Sequence, residues 1–360
     1  MSPNFSDNTN MDTIDFKKLS EQLRSELLRV NGWRKVVRTG SIAVYLFVFC
    51  WFMFVLFGGA LVSYIGLENY MQFTQYIIPV FIGFIVVNFV FTRCMANFQE
   101  RESEAMQHIM STLFPTVYFS ASSQVDSRIL RDSKLFSASF SDPALAANTY
   151  GYIQFPHGEH SLHVADIGVS YGLLNKLQYN PVLGYFVMIY RFVLRPLFAS
   201  RLDSSPHNFR GMFGWCKIDK RFKGNIIILP DHLEQKIGYL AKNIQGLKKR
   251  YSARLVQLED QEFENYFAVY ADDEVEARML LTPAMMRHMT ALHQTFGCDI
   301  MLSFSRGTFY YAAVMPSGFL CVRPSALNDG KLLEDIYNDI SLSCNCLLYT
   351  SPSPRDRTRS

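Results

Sequence analysis

The chain has 360 residues, a hydrophobic fraction of 49% and a formal net charge of +3. That hydrophobic fraction is high for a purely soluble protein. The small net charge lacks the basic excess that binding to nucleic acid by counterion release requires, so no nucleic-acid partner is expected. The seven cysteines include no CxxC pair, which argues against a disulfide framework or a zinc ribbon and favours a reducing compartment.

The N-terminal region changes character twice before the first long apolar run. Residues 1–12 are rich in Asn, Ser and Asp, a composition typical of disorder. Residues 13–38 predict an amphipathic juxtamembrane helix, because apolar side chains recur there at helical spacing. These side chains are Phe16, Leu19, Leu23, Leu27 and Val30.

Two uncharged runs, Ile42–Ile65 and Tyr76–Phe91, predict a transmembrane helical hairpin within residues 41–95. The first run is long enough to cross a hydrocarbon core of about 30 Å. A buried pair of core helices is the alternative, whereas a cleaved signal peptide fits neither the length nor the position of the run. Because neither run contains an ionisable residue, we expect an anchor, and a pore or transporter subunit would require several copies.

Charges beside the two runs predict the orientation of the hairpin. Basic residues flank its two outer ends, and the connecting loop, Gly66–Gln75, contains Glu68 but no Lys or Arg. Positively charged segments stay on the cytoplasmic side, so both termini should face the cytoplasm and the lipid bilayer should be a partner. The flanking residues are Arg34, Lys35, Arg38, Arg93 and Arg101.

The remainder predicts a linker helix over residues 96–117, ending near Pro115, and then a cytoplasmic α+β domain over residues 118–345. Arg306–Gly307 fits a two-residue hairpin turn, and a helix should begin near Asp231 with Glu234 in a capping box. The strand candidates are Tyr150–Phe155, His160–Ser170, Gly224–Leu229, Ser252–Leu258, Asp299–Ser305 and Thr308–Met315.

Two segments stand apart from this pattern. Residues 181–199 are aromatic and apolar but contain Arg191 and Arg195, which fits either a helix in the headgroup interface or a buried core helix. Cys346–Asp356 reads, residue for residue, as the translation of a transposase library adapter. We therefore expect residues 346–360 to be an artefact, with a truncated C-terminus and natural sequence that stops near Asn345.

Candidate metal ligands and nucleophiles are few. His157, Glu159 and His163 would share one face of an extended strand, with His160 pointing away, so a solvated hairpin is the default interpretation and no metal or other cofactor is expected. His288 and His293 are five residues apart and do not form the i,i+4 pair of a zinc helix. Cys216 or Cys298 could pair with one of these histidines, although nothing in the sequence marks either thiol as activated.

An acidic segment, residues 259–276, invites a cation or general-acid interpretation, but such charges more often cap and solvate helices. We expect Glu276 and Arg278 to form a structural ion pair or to shape a partner surface.

Several short motifs follow one another in the second half of the chain. Phe209–Phe213 reads FRGMF, Leu258–Asp260 reads LED, and Glu276–Arg278 reads EAR, followed by Leu281–Pro283, LTP. Further elements are Lys223–Gly224, Leu229–Asp231, Phe263–Glu264, Phe267, Val269–Tyr270, Asp272 and the Ser133, Leu135, Phe136 element. Together these motifs resemble a bacterial family of membrane-anchored proteins of unknown function.

The resemblance covers residues 96–342 and implies a fold and a topology but no reaction. Members typically carry two N-terminal transmembrane helices, so the expected location is the bacterial inner membrane. Residues 181–199 look like an insertion relative to shorter members, and the tail replaces a family segment that normally continues the last helix.

The sequence therefore predicts a membrane-anchored cytoplasmic binding or scaffolding module with protein partners or self-association. The alternative is a membrane-tethered enzyme whose site joins Phe209–Phe213 to Glu259–Arg278, marked by a deep pocket with converging ionisable groups. Catalytic residues are not assigned. The candidate functional residues are Phe209, Arg210, Gly211, Phe213, Glu259, Asp260, Phe263, Glu276 and Arg278.

Overall fold

The structure, a computed structural model, describes most of the chain from residue 16 onward. The described residues are 16–57, 64, 66, 71, 75, 77–115, 117–136, 146–157, 160–170, 177, 180, 183–190, 209–218, 222, 224–230, 254–316, 318–320, 333–338 and 340–341. The chain divides into two compact units. One comprises Met1–Gln22, Met106–Tyr171 and His207–Ser360, and the other comprises Leu23–Ala105 and Gly172–Pro206.

The secondary structure is a mixture of helices and strands. The helices are α1 (Phe16–Leu56), α2 (Ile77–Leu113), α3 (Ser127–Asp132), α4 (Leu183–Ile189), α5 (Gln261–Glu264), α6 (Glu274–Leu280) and α7 (Pro283–Phe296). The strands are β1 (Tyr118–Ser120), β2 (Ala146–His157), β3 (His160–Ser170), β4 (Phe209–Lys217), β5 (Ile226–Pro230), β6 (Arg254–Val256), β7 (Phe267–Ala271), β8 (Ile300–Ser305) and β9 (Thr308–Val314).

All nine strands form one antiparallel sheet in the order β1-β2-β3-β4-β9-β8-β5-β7-β6. This confirms the predicted mixture of strands and helices and every strand candidate. Strands β1, β4 and β7 were not foreseen as strands. Strand β1 has only three residues, whereas six of the nine residues of β4 and four of the five residues of β7 are buried. Burial on both faces removes the alternation of polar and apolar residues by which a half-exposed strand is recognised.

The hairpin turn between β8 and β9 confirms the prediction for Arg306–Gly307. The two residues have φ angles of 52° and 69°. Both angles are positive, as a type I′ turn requires, and Gly307 adopts its angle without steric cost.

Both faces of the sheet are buried over much of their area. On one face, Phe209, Phe213 and Tyr310 pack with Phe136, which lies just after α3. The Phe136 ring meets those of Phe209 and Phe213 edge-on, with centroids 4.8 and 5.4 Å apart, an arrangement that the aromatic quadrupole favours. The element formed by Ser133, Leu135 and Phe136 thus contributes a buried aromatic side chain to the core on this face of the sheet.

Helix α1 contains residues 42–56 of the first predicted apolar run, and α2 contains residues 77–91 of the second. Helix α1 continues from the predicted juxtamembrane segment into the first run, and α2 ends two residues before Pro115, where the linker helix was expected to stop. Within the described residues, no helix combines the length and the apolar character that a membrane crossing needs. The transmembrane hairpin therefore has no support from the described helices.

The second unit has its own internal contacts. Arg34 forms an ion pair with Glu102, and the Arg101 guanidinium lies 5.9 Å from the centroid of the Trp33 ring. Gly40 faces Phe91 so closely that a Cβ on Gly40 would lie 2.7 Å from a ring carbon.

Some predictions concern residues that the structure does not describe. These are the expected disordered segment 1–12, the helix from Asp231, Arg191, Arg195 and the tail 346–360.

Candidate functional site

The FRGMF motif lies on β4, between β3 and β9 in the centre of the sheet. Phe209 and Phe213 are buried core residues. Gly211 is required by sterics, because a Cβ there would lie 2.1 Å from the carbonyl oxygen of Ala313 on β9. Three of the four candidate residues in this motif therefore have packing roles.

Arg210, the remaining candidate of the motif, forms a bidentate ion pair with Asp166 of β3, and one of its two contacts, Nη2 to Oδ2, measures 3.0 Å. The Asp166 side chain is fully buried, and its Oδ2 also accepts hydrogen bonds from the backbone N–H groups of Phe319 (3.2 Å) and Leu320 (3.0 Å). Burial raises the pKa of Asp166, while the Arg210 charge and the two N–H groups oppose that rise. The pair ties residues 319–320 to the sheet.

The Tyr150 ring packs against the Arg210 guanidinium of this ion pair. The register between β2 and β3 shifts between Thr149 and Gly151, so Tyr150 sits in a β-bulge, a device that redirects a side chain. The Tyr150 ring lies 3.7 Å from the Arg210 guanidinium carbon, a cation–π contact that shields one face of the ion pair. Neither Asp166 nor Tyr150 was identified as a site residue from the sequence.

The His157–His163 region is a hairpin, as the default interpretation held, but the face assignment was wrong. His157 pairs with His160 across the turn between β2 and β3, so His157 and His163 belong to different strands. The Tyr152 hydroxyl lies 2.6 Å from Nδ1 of His163. The His163 ring stacks on Trp215 with centroids 4.9 Å apart. No group of three metal-binding side chains occurs among the described residues, which do not include Glu159.

Desolvation sets the electrostatics of this aromatic stack. Burial lowers the pKa of His163, and the charge of Lys217 lowers it further. Burial also raises the pKa of Tyr152. Both shifts favour the neutral forms, so the stack fits a packing role better than proton transfer at neutral pH.

The remaining histidine candidates lie on α7 and Cys216 lies on β4, whereas Cys298 is partly buried in the loop between α7 and β8. His293 of α7 packs its ring against Tyr266 and Phe267. Burial lowers the pKa of His288 on the same helix. Cys216 is buried on β4, where its thiol lies 3.3 Å from the backbone oxygen of Lys217. Nothing in these contacts marks an activated thiol.

Most of the acidic segment has the structural role expected of capping residues. Asp260 caps α5 and Asp273 caps α6 by accepting hydrogen bonds from backbone N–H groups. Glu264 accepts from the Leu258 N–H at 2.7 Å, and Phe263 is a buried core residue. The Asp272 carboxylate accepts hydrogen bonds from both the backbone N–H and the side-chain amide of Asn225.

The expected ion pair between Glu276 and Arg278 is wrong. Arg278 instead pairs with Glu274, one helical turn earlier, at 2.8 Å, because residues two apart point to different sides of a helix. Glu276 accepts a hydrogen bond from the Gly224 N–H at 2.9 Å. This hydrogen bond therefore connects α6 to the residues just before β5.

A groove with a volume of 490 Å³ brings the LED, EAR and LTP motifs together. Its apolar floor contains Leu281 and Met286, which are buried, and its mouth carries the exposed charges of Glu259 and Arg278. The Glu259 carboxylate makes no hydrogen bond or ion pair with the described residues. The lining residues are Leu258, Glu259, Asp260, Gln261, Arg278, Leu281, Pro283 and Met286.

The groove joins only one of the two segments that the enzyme hypothesis required. No residue of Phe209–Phe213 lines it, and Arg210 is instead committed to Asp166. The candidates Glu259, Asp260 and Arg278 come together at the groove, whereas Phe209, Arg210, Gly211 and Phe213 stabilise the sheet. We name the site formed by the eight lining residues the LED groove.

Comparison with known proteins adds a family but no activity. No curated protein and no solved structure matches the chain. One family model matches residues 207–347, a region that contains strands β4 to β9 and helices α5 to α7. Strands β1 to β3 precede this region and belong to the same sheet. The family model that matches residues 207–347 is described as Protein of unknown function (DUF3137).

Proposed function

We propose that the chain is a membrane-anchored binding or scaffolding module whose LED groove is its docking site. The observation that carries the binding role is the groove itself, since an apolar floor below a charged mouth is the usual form of a recognition site. Glu259 is exposed and makes no hydrogen bond or ion pair with the described residues. Its carboxylate is thus free to meet a partner.

Membrane anchoring by residues 41–95 is supported by the two uncharged runs and by exposed apolar side chains on α2. Ile82, Val86 and Phe89 are 55%, 57% and 61% exposed and share one helix face by their spacing. Exposed apolar stripes of this kind require a covering surface. The Arg93 guanidinium lies 5.4 Å from the Phe89 ring at the end of the stripe, as at a membrane–water interface.

Fractionation of bacterial cells that express the full chain tests the anchor. We expect the protein to stay with the membranes in alkaline carbonate and to be released by detergent. Replacing Val86 and Val90 by Arg should shift it towards the soluble fraction, because a charge in hydrocarbon costs about 3 kcal/mol. The matched control places the same charges at Gln99 and Gln107, which are already exposed polar positions.

Protease protection tests the orientation. In spheroplasts the 118–345 domain should resist added protease and become sensitive only after lysis. Release of the unmodified chain by carbonate alone would contradict anchoring, and digestion in intact spheroplasts would contradict the cytoplasmic orientation.

A further inference from the structure

The LED groove lies on a strongly acidic part of the chain. Residues 255–280 contain eight acidic residues and one basic residue, Arg278, in a chain whose overall net charge is +3. Five of these carboxylates take part in caps or backbone contacts, namely Asp260, Glu264, Asp272, Asp273 and Glu276. Glu274 pairs with Arg278, and the exposed carboxylates of Glu259 and Glu262 form no ion pair with the described residues and add negative potential at the groove.

Apolar surface continues outside the groove. Leu255 on the edge strand β6 is 58% exposed, and Met279 and Val275 on α6 are 74% and 66% exposed. Helix α6 contacts β6, so these three side chains belong to neighbouring elements. Arg278 of the groove also lies on α6, so exposed apolar side chains occur on an element that contributes to the charged mouth.

We propose that the LED groove binds a peptide segment of a partner protein in which an apolar side chain is flanked by Lys or Arg. This inference rests on the proposed binding function and specifies its partner. The apolar side chain occupies the floor formed by Leu281 and Met286, and a flanking cation meets Glu259. Arg278 opposes that cation and thereby limits how many basic residues the site accepts.

Charge complementarity selects this occupant over the others. An anionic lipid surface would face the exposed carboxylates of Glu259 and Glu262 and be repelled. A second copy of the groove would bring two acidic segments together, each with eight acidic residues and one basic residue, and their mutual repulsion would oppose the contact. A basic, apolar peptide places an apolar side chain on the apolar floor and a cation beside the carboxylate at the mouth.

The test measures binding of a fluorescent peptide of alternating leucine and lysine to the full chain in mild non-ionic detergent, by anisotropy. Two matched peptides replace leucine by serine or lysine by glutamate. We expect saturable binding of the leucine–lysine peptide and at least about tenfold weaker binding of the other two, because each lacks one of the two complementary features.

Variants assign the binding to the groove. Glu259→Lys should weaken binding about fivefold or more, and Arg278→Ala should strengthen it about twofold, because rim charges act through their sign. Glu334→Lys makes the same change in charge at an exposed position outside the groove and should have little effect. Methyl-labelled methionine gives a direct readout, since the Met286 signal, assigned through Met286→Leu, should shift on binding.

Equal effects of Glu259→Lys and Glu334→Lys, or an unshifted Met286 signal, would show adsorption to a charged surface and overturn the proposal. Preference for the leucine–glutamate peptide or for anionic vesicles would also overturn it. Peptide binding by a chain that carbonate removes from membranes would refute the anchor alone. A chain that stays in membranes but binds no peptide would refute this inference alone.

Discussion

The carboxylate of Asp166 and the guanidinium of Arg210 form a bidentate ion pair between neighbouring strands of the central sheet. Their side chains are 0% and 10% exposed. The Arg210 backbone oxygen also accepts a hydrogen bond from the Met315 N–H. Arg210 therefore holds the segment after β9 directly through its backbone oxygen, and indirectly through Asp166, whose carboxylate accepts hydrogen bonds from residues 319 and 320.

Breaking this pair should be costly. Arg210→Ala leaves a buried, unpaired carboxylate, and we expect the free energy of unfolding to fall by about 3–5 kcal/mol in chemical denaturation. Arg306→Ala is the matched control, because Arg306 also pairs with an aspartate, Asp132, but its side chain is 70% exposed. Its cost should stay below about 1 kcal/mol. Equal losses for the two variants would show that burial does not set the strength of the Asp166 pair.

Gly211 should tolerate no side chain. Gly211→Ala places a Cβ against the Ala313 carbonyl oxygen, so the sheet must separate locally at a cost of about 1–3 kcal/mol. Gly32 offers the control, because nothing lies within 4 Å of a Cβ at that helical position. Gly32→Ala should leave stability unchanged or raise it by up to about 1 kcal/mol. An unaltered melting temperature for Gly211→Ala would contradict the close approach of β4 and β9.

The sequence predicted the outlines of this fold better than its details, for physical reasons. Strands such as β3 and β9 were found from their apolar runs, and the hairpin at Arg306–Gly307 from local turn chemistry. The Asp166–Arg210–Tyr150 cluster was missed because its members are 16 to 60 positions apart along the chain and depend on a bulge at Tyr150. A bulge is a property of strand pairing, which no local pattern encodes.

The candidate site shows the same division between local and non-local information. The acidic segment was correctly expected to cap helices, since capping depends on residues two or three apart. The ion pair assigned to Glu276 and Arg278 was wrong, because it ignored the direction in which residues two apart point on a helix. That Glu259 and Arg278 line one groove depends on the packing of β6, α6 and α7, which the motifs alone do not specify.

Stability should decline in mild acid because of His163. Its folded-state pKa lies below the ordinary value of 6.5, so below that value the unfolded chain binds more protons than the folded one, and the free energy of unfolding falls as the pH is lowered. His288 acts in the same direction. Denaturation curves at pH 7.5 and 5.5 measure the loss, and His163→Gln should reduce it. An unchanged pH dependence in that variant would show that His163 does not contribute.

Within the acidic segment, replacing a helix-capping residue should lower stability, whereas replacing the exposed groove residue Glu259 should hardly change it. Asp273 accepts hydrogen bonds from the N–H groups of Val275 and Glu276 at 2.8 and 3.4 Å, so Asp273→Ala should cost about 1 kcal/mol through the loss of the α6 cap. Glu259→Ala removes an exposed carboxylate that makes no hydrogen bond or ion pair with the described residues, and should change stability by less than about 0.5 kcal/mol. Thermal unfolding of the two variants, with circular dichroism to confirm the native fold, makes the comparison. If Glu259→Ala proved as damaging as Asp273→Ala, Glu259 would belong to the framework of the domain, and its position at the mouth of the groove would need no partner to explain it.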